Sequence, residues 1–158
     1  MTLIGLRALL MISTLLLVLV SAAPGRILGL WLTPNIAWLG GLCVSTRAPQ
    51  AWSRLWAFLL GLLQDVLFGT PLGSQALLSV FVAEYGRTSP MAALGLRQRW
   101  IHAALVFLLA HLSMGGLLWL SGTATPSFTA LLGASLVSGA WYPLLDKIVR
   151  RVVPHAPL

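Results

Sequence analysis

Six long apolar runs follow one another along this chain, with only short polar breaks between them. No other feature restricts the fold as strongly. An α-helix needs roughly 20 apolar residues to cross the hydrocarbon core of a bilayer. The runs extend over about Leu3 to Ala23, Ile27 to Thr46, Ala51 to Phe68, Leu72 to Tyr85, Trp100 to Leu120 and Phe128 to Ile148, the fourth being short. Pro24, Pro49, Pro71, Pro90 and Pro126 fall in the breaks, where a missing backbone N–H costs least. Pro34 and Pro143 fall inside runs and are expected to start or kink helices there. Residues 1–158 therefore read as all-α, a single transmembrane domain of six transmembrane helices, without linker, repeat or low-complexity segment. The first run carries Arg7 and ends on Ser21, Ala22 and Ala23, a pattern shared with signal peptides. It is expected to remain as a helix.

Composition argues against a soluble alternative. Hydrophobic residues make up 58% of the chain and charged residues 8%, against about a quarter charged in soluble domains. The net charge of +7 does not point to nucleic acid, because no basic stripe interleaved with stacking aromatics is present. The basic residues sit at the ends of the apolar runs, as topogenic charges do. With the N-terminus in the cytoplasm, Arg7, Arg47, Arg54, Arg87, Arg97, Arg99, Lys147, Arg150 and Arg151 lie inside and only Arg26 outside. The positive-inside rule then places both termini in the cytoplasm and the chain in a bacterial inner membrane. The outer loops Gly69–Gly73 and Ser121–Ser127 carry no charge. Trp52, Trp56, Trp100 and Trp141 fall near inner ends and Trp119 near an outer one, matching interfacial belts.

Few residues can carry chemistry. The three acids are Asp65, Glu84 and Asp146. Asp146 stands four residues before Arg150, which predicts a local helical ion pair. Glu84 stands three before Arg87 and predicts a local or interhelical pair. Asp65, beside Gln64, lies in an otherwise uncharged run. An ionised group facing lipid at mid-helix costs at least ~2.5 kcal/mol, so Asp65 is expected to face the bundle interior, a partner or the outer interface. Ala57, Gly61, Asp65 and Gly69 recur every four residues and share one helix face, where small residues allow close approach and an acid can hydrogen-bond across the contact. The alternative for Asp65 is a capping role, accepting from the backbone of the Gly69–Gly73 turn. Asp65→Asn, which keeps the shape, is expected to be milder than Gly61→Leu. His111 in the fifth run is expected to pack through a hydrogen bond, and His102 is too far from it in sequence to form a two-ligand turn. Cys43 is alone, which excludes an internal disulfide or thiolate cluster. No metal-ligand, phosphate-loop or nucleophile-elbow motif occurs, so neither an enzyme nor a cofactor is expected.

The stretch GLLQDVLFGTPLGSQALLSVFVAEY resembles the signature region of the rod shape-determining MreD family. The positions that carry the likeness are Gly61, Asp65, Gly69, Pro71, Leu72 and Gly73, with Pro34-Asn35 as a further point of similarity. The likeness covers about 30 residues, and the hydropathy profile extends it to the rest. It implies a non-enzymatic scaffold of the bacterial elongation machinery, supporting peptidoglycan synthesis along the lateral wall. The implied direct partner is MreC; cell-wall synthases and MreB are reached indirectly, and self-association is left open. The candidate packing or partner face is Ala57, Gly61, Asp65, Gly69 and Gly73. The family fold resembles the six-helix substrate-binding subunits of energy-coupling-factor transporters. That gives a rival reading, a vitamin-like small-molecule-binding subunit. Short, uncharged outer loops poor in aromatics weigh against it, because a small-molecule site needs convergent polar and aromatic groups.

Overall fold

The computed structural model describes residues 3–22, 35–47, 54–123, 125 and 127–152. Among these the protein is entirely helical: α1 (Leu3–Ala22), α2 (Ile36–Arg47), α3 (Arg54–Phe68), α4 (Ser74–Thr88), α5 (Leu96–Leu120) and α6 (Phe128–Val152), with a 3₁₀ turn at Pro90–Ala93. The apolar runs map onto these helices one for one. The beginning of the second run, together with Pro24, Arg26, Pro34, Pro49 and Trp52, lies outside the described residues. Pro143 is accommodated inside α6.

By length and apolarity two of the described helices, α5 and α6, qualify as candidate membrane spans. Helices α3 and α4 have 15 residues each and α2 has 12. At 1.5 Å per residue, 15 residues give ~22 Å, shorter than a hydrocarbon core of ~30 Å. The shortness has local causes. Glycines end α3 and precede α4, and both occupy the left-handed region, with φ +64° at Gly69 and +97° at Gly73.

Contacts between the helices fix their directions. Arg54 at the start of α3 meets Glu84 near the end of α4, while Asp65 near the end of α3 meets Ser74 at the start of α4. These two helices are antiparallel. Helices α5 and α6 are antiparallel as well, since Arg99 bonds Asp146 and a Cβ at Gly139 would lie 3.3 Å from that of Ala104. Helix α2 runs alongside α4 in the same direction: Asn35 bonds Gln75, and Gly86 lies against Leu42 and Ser45. Alternating directions gather Arg47, Arg54, Arg87 and Arg99 at one end of the bundle and the Gly69–Gly73 and Ser121–Thr123 turns at the other.

Helix α2 is central, touching α1, α3, α4 and α6. Its residues Trp38, Leu39, Leu42 and Cys43 pack with Val82, Phe107 and Tyr142 in one apolar core. Ala37 and Val44 pack with Val18, Ala57, Leu60 and Ala83 in a second. The surface departs from that of a water-soluble bundle, since many large apolar side chains are exposed and several polar ones are buried beside the apolar core. Asp65, Gln64, Asp146 and Arg99 are buried, whereas Leu55, Val66, Phe81, Leu109 and Leu120 are exposed by 64–75%.

Candidate functional site

The turn of the α3–α4 hairpin is built around Asp65. Helix α3 ends in a Schellman arrangement: Gly69 takes the left-handed conformation and the N–H of Thr70 reaches back to the Asp65 carbonyl at 3.0 Å. Helix α5 stops in the same way, with Gly122 left-handed and the N–H of Thr123 bonded to the Leu118 carbonyl at 3.1 Å. The chain then folds back, and the Asp65 side chain meets the start of α4. Its Oδ1 accepts from Thr70 Oγ1 at 2.6 Å, Ser74 Oγ at 2.9 Å and the Gln75 N–H at 2.9 Å. Its Oδ2 accepts from the N–H of Gly73 at 2.8 Å and, more distantly, of Ala76 at 3.4 Å.

The first turn of a helix has N–H groups without intrahelical acceptors. In α4 they are all used. Gln75 and Ala76 go to Asp65, and the Ser74 N–H goes to the Pro71 carbonyl at 3.1 Å. Gly73 has no side chain with which to cap α4, so Asp65 caps it from the preceding helix. The carboxylate also sits at the positive end of the α4 dipole. Both predicted roles of Asp65, interior-facing acid and turn-bonding cap, are met by this one geometry.

The other residues of the predicted face divide. Ala57 and Gly61 are buried. A Cβ on Gly61 would lie 2.4 Å from Ala76 Cα and 2.5 Å from the Gln75 carbonyl oxygen, so α3 and α4 touch backbone to backbone there. Gly69 leaves the face, because α3 ends at Phe68 and Gly69 is exposed, with open space around its Cβ position. Gly73 is likewise a turn residue. Four-residue spacing placed Gly69 on the helix face only by continuing the helix past its stop.

Behind Asp65 lies a second polar knot. Asn35 caps α2, its Oδ1 accepting from the Trp38 N–H at 3.2 Å. The same oxygen accepts from Gln64 Nε2 at 3.1 Å, and Asn35 Nδ2 donates to Gln75 Oε1 at 3.2 Å. The Asn35 N–H reaches Ser138 Oγ at 3.4 Å. One asparagine thus joins α2, α3, α4 and α6. Sequence reasoning singled out Asn35 only as a neighbour of Pro34, and its signal was the placement of Gln64 and Gln75 in apolar runs.

The opposite end is held by charge. Arg47 Nε donates to Asp146 Oδ1 at 2.7 Å and Arg99 Nη1 to Asp146 Oδ2 at 3.3 Å. These partners lie far from Asp146 in sequence, so helical spacing, which points to Arg150, could not find them. The Arg150 side chain lies outside those described. Glu84 takes Arg54 across the hairpin at 2.9 Å and Arg87 along its own helix at 3.6 Å, the local and interhelical pairs together.

His111 serves packing. Its Nδ1 meets the Phe107 carbonyl at 2.7 Å and its ring meets Trp38 edge-on, with centroids 4.9 Å apart. Cys43 is fully buried in the core. No group of three metal-ligating side chains occurs among the described residues. An apolar groove of about 500 Å³ opens between α4 and α5, lined in part by Leu77, Phe81, Leu109, Ser113 and Leu120. The described polar residues therefore fix helix ends and crossings, and none of them forms a nucleophile–base pair. Compared with known proteins, the chain matches no family model, no curated protein and no solved structure.

Proposed function

We propose that this chain is a non-enzymatic, six-span scaffold of the bacterial inner membrane, an MreD-like member of the elongation machinery that binds MreC. The observation that carries the membrane part is the run of large apolar side chains exposed on the helices, with acids, amides and an arginine buried beside the apolar core. Lipid is the solvent that tolerates such a surface. Helices α2, α3 and α4 are short for a span of average thickness. The ends of α3 and α4 at Arg54 and Arg87 suit the headgroup level, to which arginines snorkel.

The scaffold part rests on the resemblance of residues 61–85 and on the chemistry of the hairpin. The motif residues Gly61, Asp65 and Gly73 serve a hairpin that locks itself, which is what a rigid docking element needs. The outer end presents Asp65 with its oxygens already engaged, and the Gly69–Gly73 and Ser121–Ser127 turns carry no charged side chain for a soluble ligand. What remains for recognition is the helix surface within the membrane.

The test is co-purification. The tagged chain is extracted from native membranes in mild detergent and its companions are identified. Recovery of MreC supports the scaffold. Recovery of an ATPase module without MreC, or a thermal shift with a vitamin-like ligand, replaces it with the transport reading. Saturation at 100 times a dissociation constant adds about 2.7 kcal/mol, large enough to detect.

A further inference from the structure

The buried ion cluster at the arginine-rich end does not balance. The side chains of Arg47, Arg99 and Asp146 are 4%, 9% and 2% exposed, so two guanidiniums share one carboxylate out of solvent. No other acidic side chain is free to neutralise the second. The chain has three acids. Asp65 lies at the opposite end, and Glu84 is held by Arg54 and Arg87.

The hydrogen-bond donors do not balance either. A guanidinium offers five N–H groups in a planar fork, yet Arg47 and Arg99 each give one hydrogen bond, both to Asp146. Arg99 Nε is buried with no acceptor among the described residues. Tyr142, one turn before Asp146 on α6, has a buried hydroxyl in the same condition. Buried donors without acceptors and an excess buried charge are both costly, and one species removes both costs: an anion with several acceptor oxygens.

We propose that the Arg47–Asp146–Arg99 cluster, with Tyr142 beside it, is a binding site for a phosphate-class oxyanion. Arginine forks match phosphate oxygens in geometry as well as charge. This inference rests on the membrane reading in one respect, the source of the phosphate. If this end lies at the cytoplasmic face, the anion on hand is the headgroup of an anionic phospholipid, and basic pockets between spans on that side suit such headgroups. Free inorganic phosphate has the same chemistry.

The experiment uses the full chain in nanodiscs of phosphatidylcholine alone, of phosphatidylcholine with phosphatidylglycerol, and of phosphatidylcholine with inorganic phosphate in the buffer. Native mass spectrometry reads retained lipid, and thermal melting reads stabilisation. The parent should retain phosphatidylglycerol in preference to phosphatidylcholine. Arg99→Gln leaves Arg47 paired with Asp146 and removes one guanidinium from the cluster, and its preference should fall by about tenfold, the effect of losing one charge-assisted contact. Arg99→Lys keeps the charge without the fork and should fall between. Stabilisation by inorganic phosphate that Arg99→Gln abolishes would keep the site and assign it to the soluble ion. Equal retention of both lipids by the parent, with no stabilisation by phosphate, overturns the proposal even if no variant folds. So does a folded Arg99→Gln that behaves as the parent in every arm. The membrane reading fails separately, by release of the chain from native membranes at alkaline pH, and the phosphate arm would still report on the site.

Discussion

Asp65 and Asp146 are both buried carboxylates in the same small bundle, and they are held in opposite ways. Asp65 accepts from backbone N–H groups and hydroxyls and touches no cation among its described partners. Asp146 is bound by two arginines from two other helices. At the Asp65 end the donors belong to the helix start that immediately follows, so the lock is local and joins α3 to α4. At the Asp146 end the donors come from α2 and α5, so the lock is global and joins helices distant in sequence. A short-range lock sets the shape of a hairpin; a long-range one sets the order of the bundle.

The comparison can be broken most severely at Gly61. A side chain there would meet the α4 backbone at 2.4 Å, and backbone cannot rotate aside as a side chain can. Gly61→Leu should cost more than the ~1–3 kcal/mol usual for overpacking, seen as failure to accumulate or loss of a cooperative melt. Normal accumulation would mean that the hairpin does not close as described.

Next in size is Asp146→Asn, which strands two buried guanidiniums. Removing one partner of a buried pair costs about 3–5 kcal/mol. The loss should be visible in detergent melts, and a cycle with Arg47→Gln should show strong coupling.

Asp65→Asn follows, milder than Gly61→Leu as expected, and the geometry gives its effect a size. Both carboxylate oxygens accept from backbone N–H groups, Gln75 on one and Gly73 on the other. An amide NH₂ must face one of those donors whichever way it turns. The expected cost is about 1–3 kcal/mol, read from thermal melts, with looser protection of the α4 N-terminus in hydrogen exchange. A change confined to partner binding, with stability untouched, would move Asp65 from a structural to a recognition role.

The smallest effect is expected at Arg54. Its side chain is 66% exposed where it meets Glu84, and exposed pairs contribute little. Arg54→Gln should melt with the parent and show no salt dependence that the parent lacks.

The two ends also differ in how well the sequence reveals them. The hairpin was legible because its causes are local. Gly61 and Asp65 lie four apart on one helix, and the Gly-Thr-Pro-Leu-Gly turn lies within reach of the carboxylate. What misled was Gly69, since periodicity does not announce its own end; only the left-handed glycine followed by Thr70 marks the stop. The Asp146 cluster was illegible because nothing near residue 146 selects Arg47 and Arg99 as partners. That choice is made when α2, α5 and α6 pack. The Asn35 knot was hidden for the same reason: Gln64 and Gln75 announce a buried amide partner, and tertiary packing names it. Helix order and type were readable from hydropathy alone, because each apolar run is bounded by proline, glycine or arginine.

The account requires the Asp65 end and the arginine-rich end to lie on opposite sides of a membrane, and site-directed labelling tests this most directly. In a Cys43→Ala background, single cysteines replace Leu72 in the turn between α3 and α4 and Ala93 in the turn between α4 and α5, both exposed in the protein. Intact spheroplasts are treated with a membrane-impermeant maleimide before and after permeabilisation. Leu72→Cys should be labelled in intact spheroplasts and Ala93→Cys only after permeabilisation. Labelling of both positions from the same side would contradict the account.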